Sequence, residues 1–207
     1  MKKKKNIIIC VICISLICSG VIAYSKSLEI KGAKEFKEIG EGLKDAAKDI
    51  SELPNLNSEQ KNVIGSVMGV KISKEYFNFR YASYLSNKIN YENPKAEAWN
   101  SIKKQIWEEN FAKEKNIYPS DKEIEDYTTH VKNEYNATKE GKILIKSFCE
   151  GIGMEENEYW EFYKKYEAPL AVTHGKVVKF LEKNKLNMPN IDQIQSEIID
   201  KDYYERL

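Results

Sequence analysis

Apolar residues fall along this chain in two patterns. From Ile7 to Ala23 they form an almost unbroken run behind Lys2 to Lys5, and from Phe36 onward they recur at three- and four-residue steps among charged residues. The second pattern predicts amphipathic helices, because a turn of 3.6 residues brings such positions to one face. Phe36, Ile39, Leu43, Ala47, Ile50 and Leu53 predict the first of them. Gly40 and Gly42 weaken it, and Pro54 with Asn55 ends it. Basic residues do not dominate its polar face, which favours a solvated stalk over a helix lying on a membrane surface. Glu52 to Gln60 then reads as a linker. The expected organisation is a signal or transmembrane anchor over 1–24, an amphipathic stalk and linker over 25–61, and a compact multi-helix domain over 62–207, all-α in class.

Within that domain the helices follow from the same period. Ser73 is a good N-cap for a helix with Phe77, Tyr81, Tyr84 and Leu85 on one side. A second follows Pro94 with Trp99, Ile102 and Ile106, and with Trp107 and Phe111 on an adjacent stripe. A third runs from Asp121 through Ile124, Tyr127, Val131 and Tyr135. After a polar break from Asn136 to Gly141, Leu144, Phe148 and Ile152 mark a short fourth. Tyr159, Tyr163, Tyr166, Leu170, Val177 and Leu181 keep helical register over a long segment that Pro169 should kink or split. After Pro189, Ile191, Ile194, Ile198 and Ile199 predict one more helix, packed back on the domain or offering a docking face.

Three segments carry a family resemblance. Val63 to Phe77 holds a short apolar strand-like stretch, a turn at Met68-Gly69 and a helix start. Lys113 to Ile124 holds a helix stop at Asn116 and a capping box made by Ser120 and Glu123. Phe148 to Trp160 holds a glycine-stopped helix followed by an acidic helix start. In order and spacing they resemble the N-terminal domain of the SurA and PrsA foldases, with Met68 where the family has Asn and Asn116 where it has Gly. The resemblance implies an all-helical module that binds polypeptides, completed by a C-terminal segment, which favours the packed-back tail. Such modules sit beside a parvulin-type prolyl isomerase domain; here Lys185 to Leu207 falls far short of the roughly 50 residues at the lower end of domain size.

Lysines before an apolar run make an export signal or a membrane anchor and keep that end cytoplasmic, so the chain after Tyr24 is expected on the extracytoplasmic side. The run is slightly short for a span of about 20 residues, and Val21-Ile22-Ala23 suits cleavage, so both fates stay open. Cys18 is a poor lipidation site because Ile17 precedes it. Cys149 stands alone after the run, which excludes an intramolecular disulfide there. Setting Lys2 to Lys5 aside from 33 basic residues leaves 29 against 32 acidic, a net charge of −3 that argues against nucleic acid as a partner.

Candidate chemistry is sparse. His130 and His174 each lack a second metal ligand at helical spacing, so no metal and no cofactor is expected. Ser58 to Lys61 and Ser101 to Lys104 match Ser-x-x-Lys by chance in a lysine-rich chain, and Gly40-Glu41-Gly42 and Gly151-Ile152-Gly153 lack the third glycine of a dinucleotide fingerprint. Glu108-Glu109 and Glu155-Glu156 read as solvated helix faces or helix-start charges. Aromatics are 11% of the residues and include 13 tyrosines, a type that joins a large apolar area to one hydrogen bond. Most should be core; Tyr84, Trp99, Trp107, Trp160 and Tyr163 are the candidates for lining a peptide groove. The expected function is binding of unfolded or extended polypeptides without turnover. The alternatives are an adaptor for one specific cell-surface partner and, by family company alone, a prolyl isomerase.

Overall fold

The computed structural model describes residues 26–56, 61–86 and 91–207. The apolar run and its lysines, with the export signal or anchor read from them, lie outside the described residues. Among the described residues no helix is long and apolar enough to cross a membrane. The chain is mostly helical, with a small sheet, and divides into two compact units. Of the described residues, one unit joins those up to Ala47 to Pro119–Val172; the other joins those of Lys48–Tyr118 to Thr173–Leu207.

The first unit contains α1 (Lys26–Asp49), α4 (Asp121–Ala137), α5 (Lys139–Ile152) and α6 (Glu156–Tyr166). The stalk reading is corrected here: Phe36, Leu43 and Ala47 of α1 are buried, and its Gly40 meets the backbone of α5. A Cβ on Gly40 would stand 2.5 Å from Phe148 O and 2.7 Å from Ile152 N, and one on Gly151 would collide with Lys37 O and stand 2.9 Å from Glu41 N. The two helices therefore touch main chain to main chain, through residues that side-chain propensity alone marks as weak. The helix stops at Asp49, before Pro54. Ser120 caps α4, with its side chain accepting the Glu123 N–H and the Glu123 carboxylate accepting the Ser120 N–H. The break before α5 shrinks to Thr138, whose hydroxyl accepts the Gly141 N–H at 2.9 Å. Gly153 closes α5 in the left-handed region with φ 74°. Tyr135, Phe148, Tyr159, Trp160 and Tyr163 form a continuous aromatic core, with ring centroids 5.1 to 6.3 Å apart. Cys149 lies in that interior as a free thiol. Burial first, then Glu156 and Glu155, push its pKa up to about 12.

The second unit opens with the hairpin β1 (Val63–Val67) and β2 (Val70–Ser73). Met68 and Gly69 both have positive φ, 48° and 82°, the geometry of a two-residue type I′ turn. The Ser73 hydroxyl accepts the Tyr76 N–H at 3.1 Å and starts α2 (Lys74–Ser86). Asn93 caps α3 (Pro94–Glu114), with Pro94 in the first turn, where its missing N–H breaks no helical bond. The two helices share a core in which Phe77 packs edge-on against Trp99 at 6.0 Å, Tyr76 OH donates to Gln105, and Arg80 reaches Ser101. Leu85, expected on the apolar side of α2, is 56% exposed. Asn116 ends the α3 region with φ 55°. Pro169 splits the long apolar segment as expected, since α6 stops at Tyr166 and α7 (Ala168–Asn184) starts anew.

The tail departs from the all-α expectation. In place of one helix it forms a 3-10 turn at Ile191–Gln193, a strand β3 (Ser196–Ile198) and a short helix α8 (Lys201–Arg206). β3 pairs antiparallel with β1, giving the order β2-β1-β3. The tail does pack back on its unit, but by completing a sheet: isoleucines suit a pleated edge as well as a helix face.

A half-buried aromatic surface as candidate polypeptide-binding site

Of the five aromatics expected to line a groove, four are core. Tyr84 is 5% exposed, Trp99 7%, Trp160 3% and Tyr163 0%, so none offers an open face. The correction has one cause: each lies on the stripe its helix turns inward, and large aromatic area is withdrawn from water first. Trp107 is the exception, half-buried on the stripe beside Ile102 and Ile106 of α3.

Trp107 belongs to a patch on the second unit. Its ring stacks on Phe111 at 5.1 Å, and Phe111 meets Phe180 of α7 edge-on at 5.6 Å. Beneath them Ala112, Val177 and Leu181 form a buried cluster, against which Trp107, Phe111, Ile117 and Met188 pack while staying partly open. Tyr118 and Leu186, 39% and 49% exposed, add apolar surface in the segments that follow α3 and α7. Both signs of charge border the patch: Lys115 lies over the Phe111 ring, and Lys113 lies over the Tyr118 ring while bonding Glu109 at 2.6 Å. Ile117 is fixed by its N–H, which donates to Ala112 O at 2.8 Å across the left-handed turn at Asn116. The floor is buried core and the rings above it stay partly exposed.

A polar contact ties α3 to α7 next to this patch. Glu108, whose side chain is 4% exposed, lies 2.8 Å from His174 Nδ1 and 3.7 Å from Lys104 Nζ. Glu108 is thus no solvated helix face. His130, by contrast, is 65% exposed and reaches Glu134 at 3.4 Å. A buried polar group needs such partners, because leaving it without one costs free energy. The arrangement positions the two helices. Among the described residues no group of His, Cys, Asp or Glu could hold a metal ion.

The sequence missed Phe180, Ile117 and Met188 as parts of a surface, and missed the Glu108–His174 pair. One signal was present: Trp107 and Phe111 on α3 and Phe180 on α7 all sit off the main apolar stripe of their helices, and such second stripes must meet something. No family model, no curated protein and no solved structure matches this chain.

Proposed function

We propose that this protein binds unfolded or extended polypeptides, without turnover, through the aromatic patch of its second unit. The observation that carries the reading is a cluster of rings left half open on a buried floor: Trp107, Phe111 and Phe180 over Ala112, Val177 and Leu181. A partly exposed apolar surface with charges of both signs at its rim would grip many sequences weakly, because ordering the bound chain offsets much of the contact energy; affinities on the order of micromolar follow. The resemblance of Val63 to Leu181 to a foldase module points the same way, and the lysine-flanked apolar run supports an activity on the extracytoplasmic side of a membrane.

The test is suppression of aggregation. The protein is titrated against a chemically unfolded client, with an inert protein of similar charge as control. Suppression near stoichiometric ratio is expected. Phe111→Ala and Trp107→Ala should each weaken it at least fivefold while leaving the helical spectrum unchanged. A folded wild-type protein with no suppression would overturn the reading in favour of an adaptor for one specific partner.

A further inference from the structure

From Gln195 to Leu207 no side chain is buried. Over β3 the segment is held by its backbone, and beyond β3 side chains add to the hold, among them Asn78, which donates to Tyr203 OH at 2.6 Å, and Lys95, which donates to Tyr204 O at 3.1 Å. Met68 N–H donates to Gln195 O at 2.9 Å, and the N–H groups of Ile199 and Asp200 donate to Ile64 O at 2.8 and 3.0 Å. Between these bonds Val67, Ser66 and Gly65 face Ser196, Glu197 and Ile198. Hydrogen-bonded pairs alternate in an antiparallel ladder, so the Ser66–Glu197 pair is one of them. Beyond β3, Asp200 binds Lys74 at 2.7 Å, Lys74 lies over the Tyr203 ring, and Tyr204 packs on Phe77 at 5.5 Å.

The surface under this segment has the opposite character. Ile64, Gly65, Val67, Phe77 and Trp99 are all buried. A Cβ on Gly65 would collide with Glu197 O and stand 2.7 Å from Trp99 Cη2. A glycine in a strand at such a point marks the close approach of another backbone. This edge is shaped for a main chain and floored by two aromatic rings.

We propose that the outer edge of β1, floored by Gly65, Phe77 and Trp99, is a strand-acceptor groove for extended polypeptide, which Gln195–Leu207 fills in cis and vacates for a segment supplied in trans. The inference deepens the polypeptide-binding reading and rests on it, on a surface distinct from the Trp107–Phe111–Phe180 patch. The main-chain contacts the tail makes at β1 are ones that any extended chain can make, and side-chain preference enters beyond β3, through Asp200, Tyr203 and Tyr204. A segment held without buried side chains opens at the low end of local stability. The tethered occupant reduces the apparent affinity of any free competitor by the fraction of time the groove is open.

The probe is a fluorescent peptide with the sequence of residues 190–207, titrated by anisotropy into the full chain. Two variants loosen the tail without touching the groove. Glu197→Pro removes a ladder donor at an exposed position, and Asp200→Ala removes both the Lys74 partner and the side chain that accepts the Tyr203 N–H. The peptide should bind Glu197→Pro at least about tenfold tighter than wild type, and Asp200→Ala to an intermediate degree. The same peptide carrying proline at the position of Glu197 should lose at least about tenfold, because strand addition needs that N–H. The ratio of affinities between Glu197→Pro and wild type should persist in a Phe111→Ala background, whatever that change does to binding at the patch, which separates failure here from failure of the patch. Equal affinity for wild type and both tail variants, or for the proline peptide, would overturn the proposal. So would variants that only exchange tails to form dimers and bind no peptide. Should Glu197→Pro not fold, Asp200→Ala decides alone.

Discussion

Replacing Gly40 with Ala sets two effects of opposite sign against each other. Within a helix the change is favourable by about 1 kcal/mol, since Ala gives up less backbone freedom than Gly. Against it stands the contact with α5. The new methyl would lie 2.5 Å from Phe148 O and 2.7 Å from Ile152 N, where ordinary contact begins near 3.4 Å. Both obstacles are backbone, so no rotamer change relieves them, and the helices must part by about 1 Å. Parting also opens the contacts of Phe36, Leu43, Phe148 and Ile152, all buried. Overpacking of this kind costs about 1–3 kcal/mol, and lost contacts add to it. The net expectation is destabilisation by about 2 kcal/mol, or about 4–8 °C in Tm for a chain of this size. Gly32→Ala in the same helix is the comparison: its Cβ meets only the flexible end of Leu144, at 3.3 Å, so the propensity gain should survive. Urea and thermal unfolding followed by far-UV circular dichroism measure both. Gly40→Ala at or above wild-type stability, with Gly32→Ala unchanged or raised, would refute the backbone-contact argument.

Three further perturbations test the packing. Met68→Asn should stabilise the hairpin by about 0.5–1 kcal/mol, because Met68 holds φ 48° at an exposed position where Asn is better tolerated; an unchanged or lowered Tm would contradict this. His174→Ala should cost about 3 kcal/mol by leaving the Glu108 carboxylate buried with only Lys104 at 3.7 Å, and the double variant with Glu108→Ala should cost at least 1 kcal/mol less than the sum of the singles, whereas additive losses in denaturant titrations would deny the coupling. Cys149, with its thiol pushed up to about 12 by burial, should resist alkylation at pH 8 until the protein unfolds, as read by mass spectrometry of its peptide; rapid labelling of the native protein would show that the first unit opens there.

Much of this fold is legible in the sequence, through features that act locally. Ser120 with Glu123, Asn116, Gly153 and Ser73 end or start helices where their side chains and φ preferences say they should. Pro169 divides α6 from α7 because it has no N–H to donate to the carbonyl four residues back in α6, whereas in the first turn of α7 that N–H is not needed. The Val63–Ser73 hairpin shows in its apolar stretch and its glycine turn. The candidate surface was half legible. Trp107 and Phe111 stood out as an adjacent stripe, but which stripe a helix turns outward depends on partners distant in sequence, and Phe180 is 69 positions from Phe111.

The misreadings share one physical origin, and it bears on the proposed groove. Hydrophobic periodicity describes where side chains go and is silent about backbone meeting backbone. Gly40 counted as a weakness of α1 because its propensity is poor, yet it is the point where α1 lies against α5. The tail counted as a helix because isoleucines at three- and four-residue steps fit one, yet β1 had an edge to be paired, and Gly65 left room for a main chain there. Pairing that edge stabilises β1 only while a strand occupies it, and the tail does so without burying one of its own side chains from Gln195 on. On the proposal made above, the main-chain bonds of this edge serve a tethered strand and a free one alike, and the side chains of Asp200, Tyr203 and Tyr204 beyond β3 favour the tail. The same glycine that hid the tail's conformation from the sequence is therefore where the proposed exchange of strands would take place.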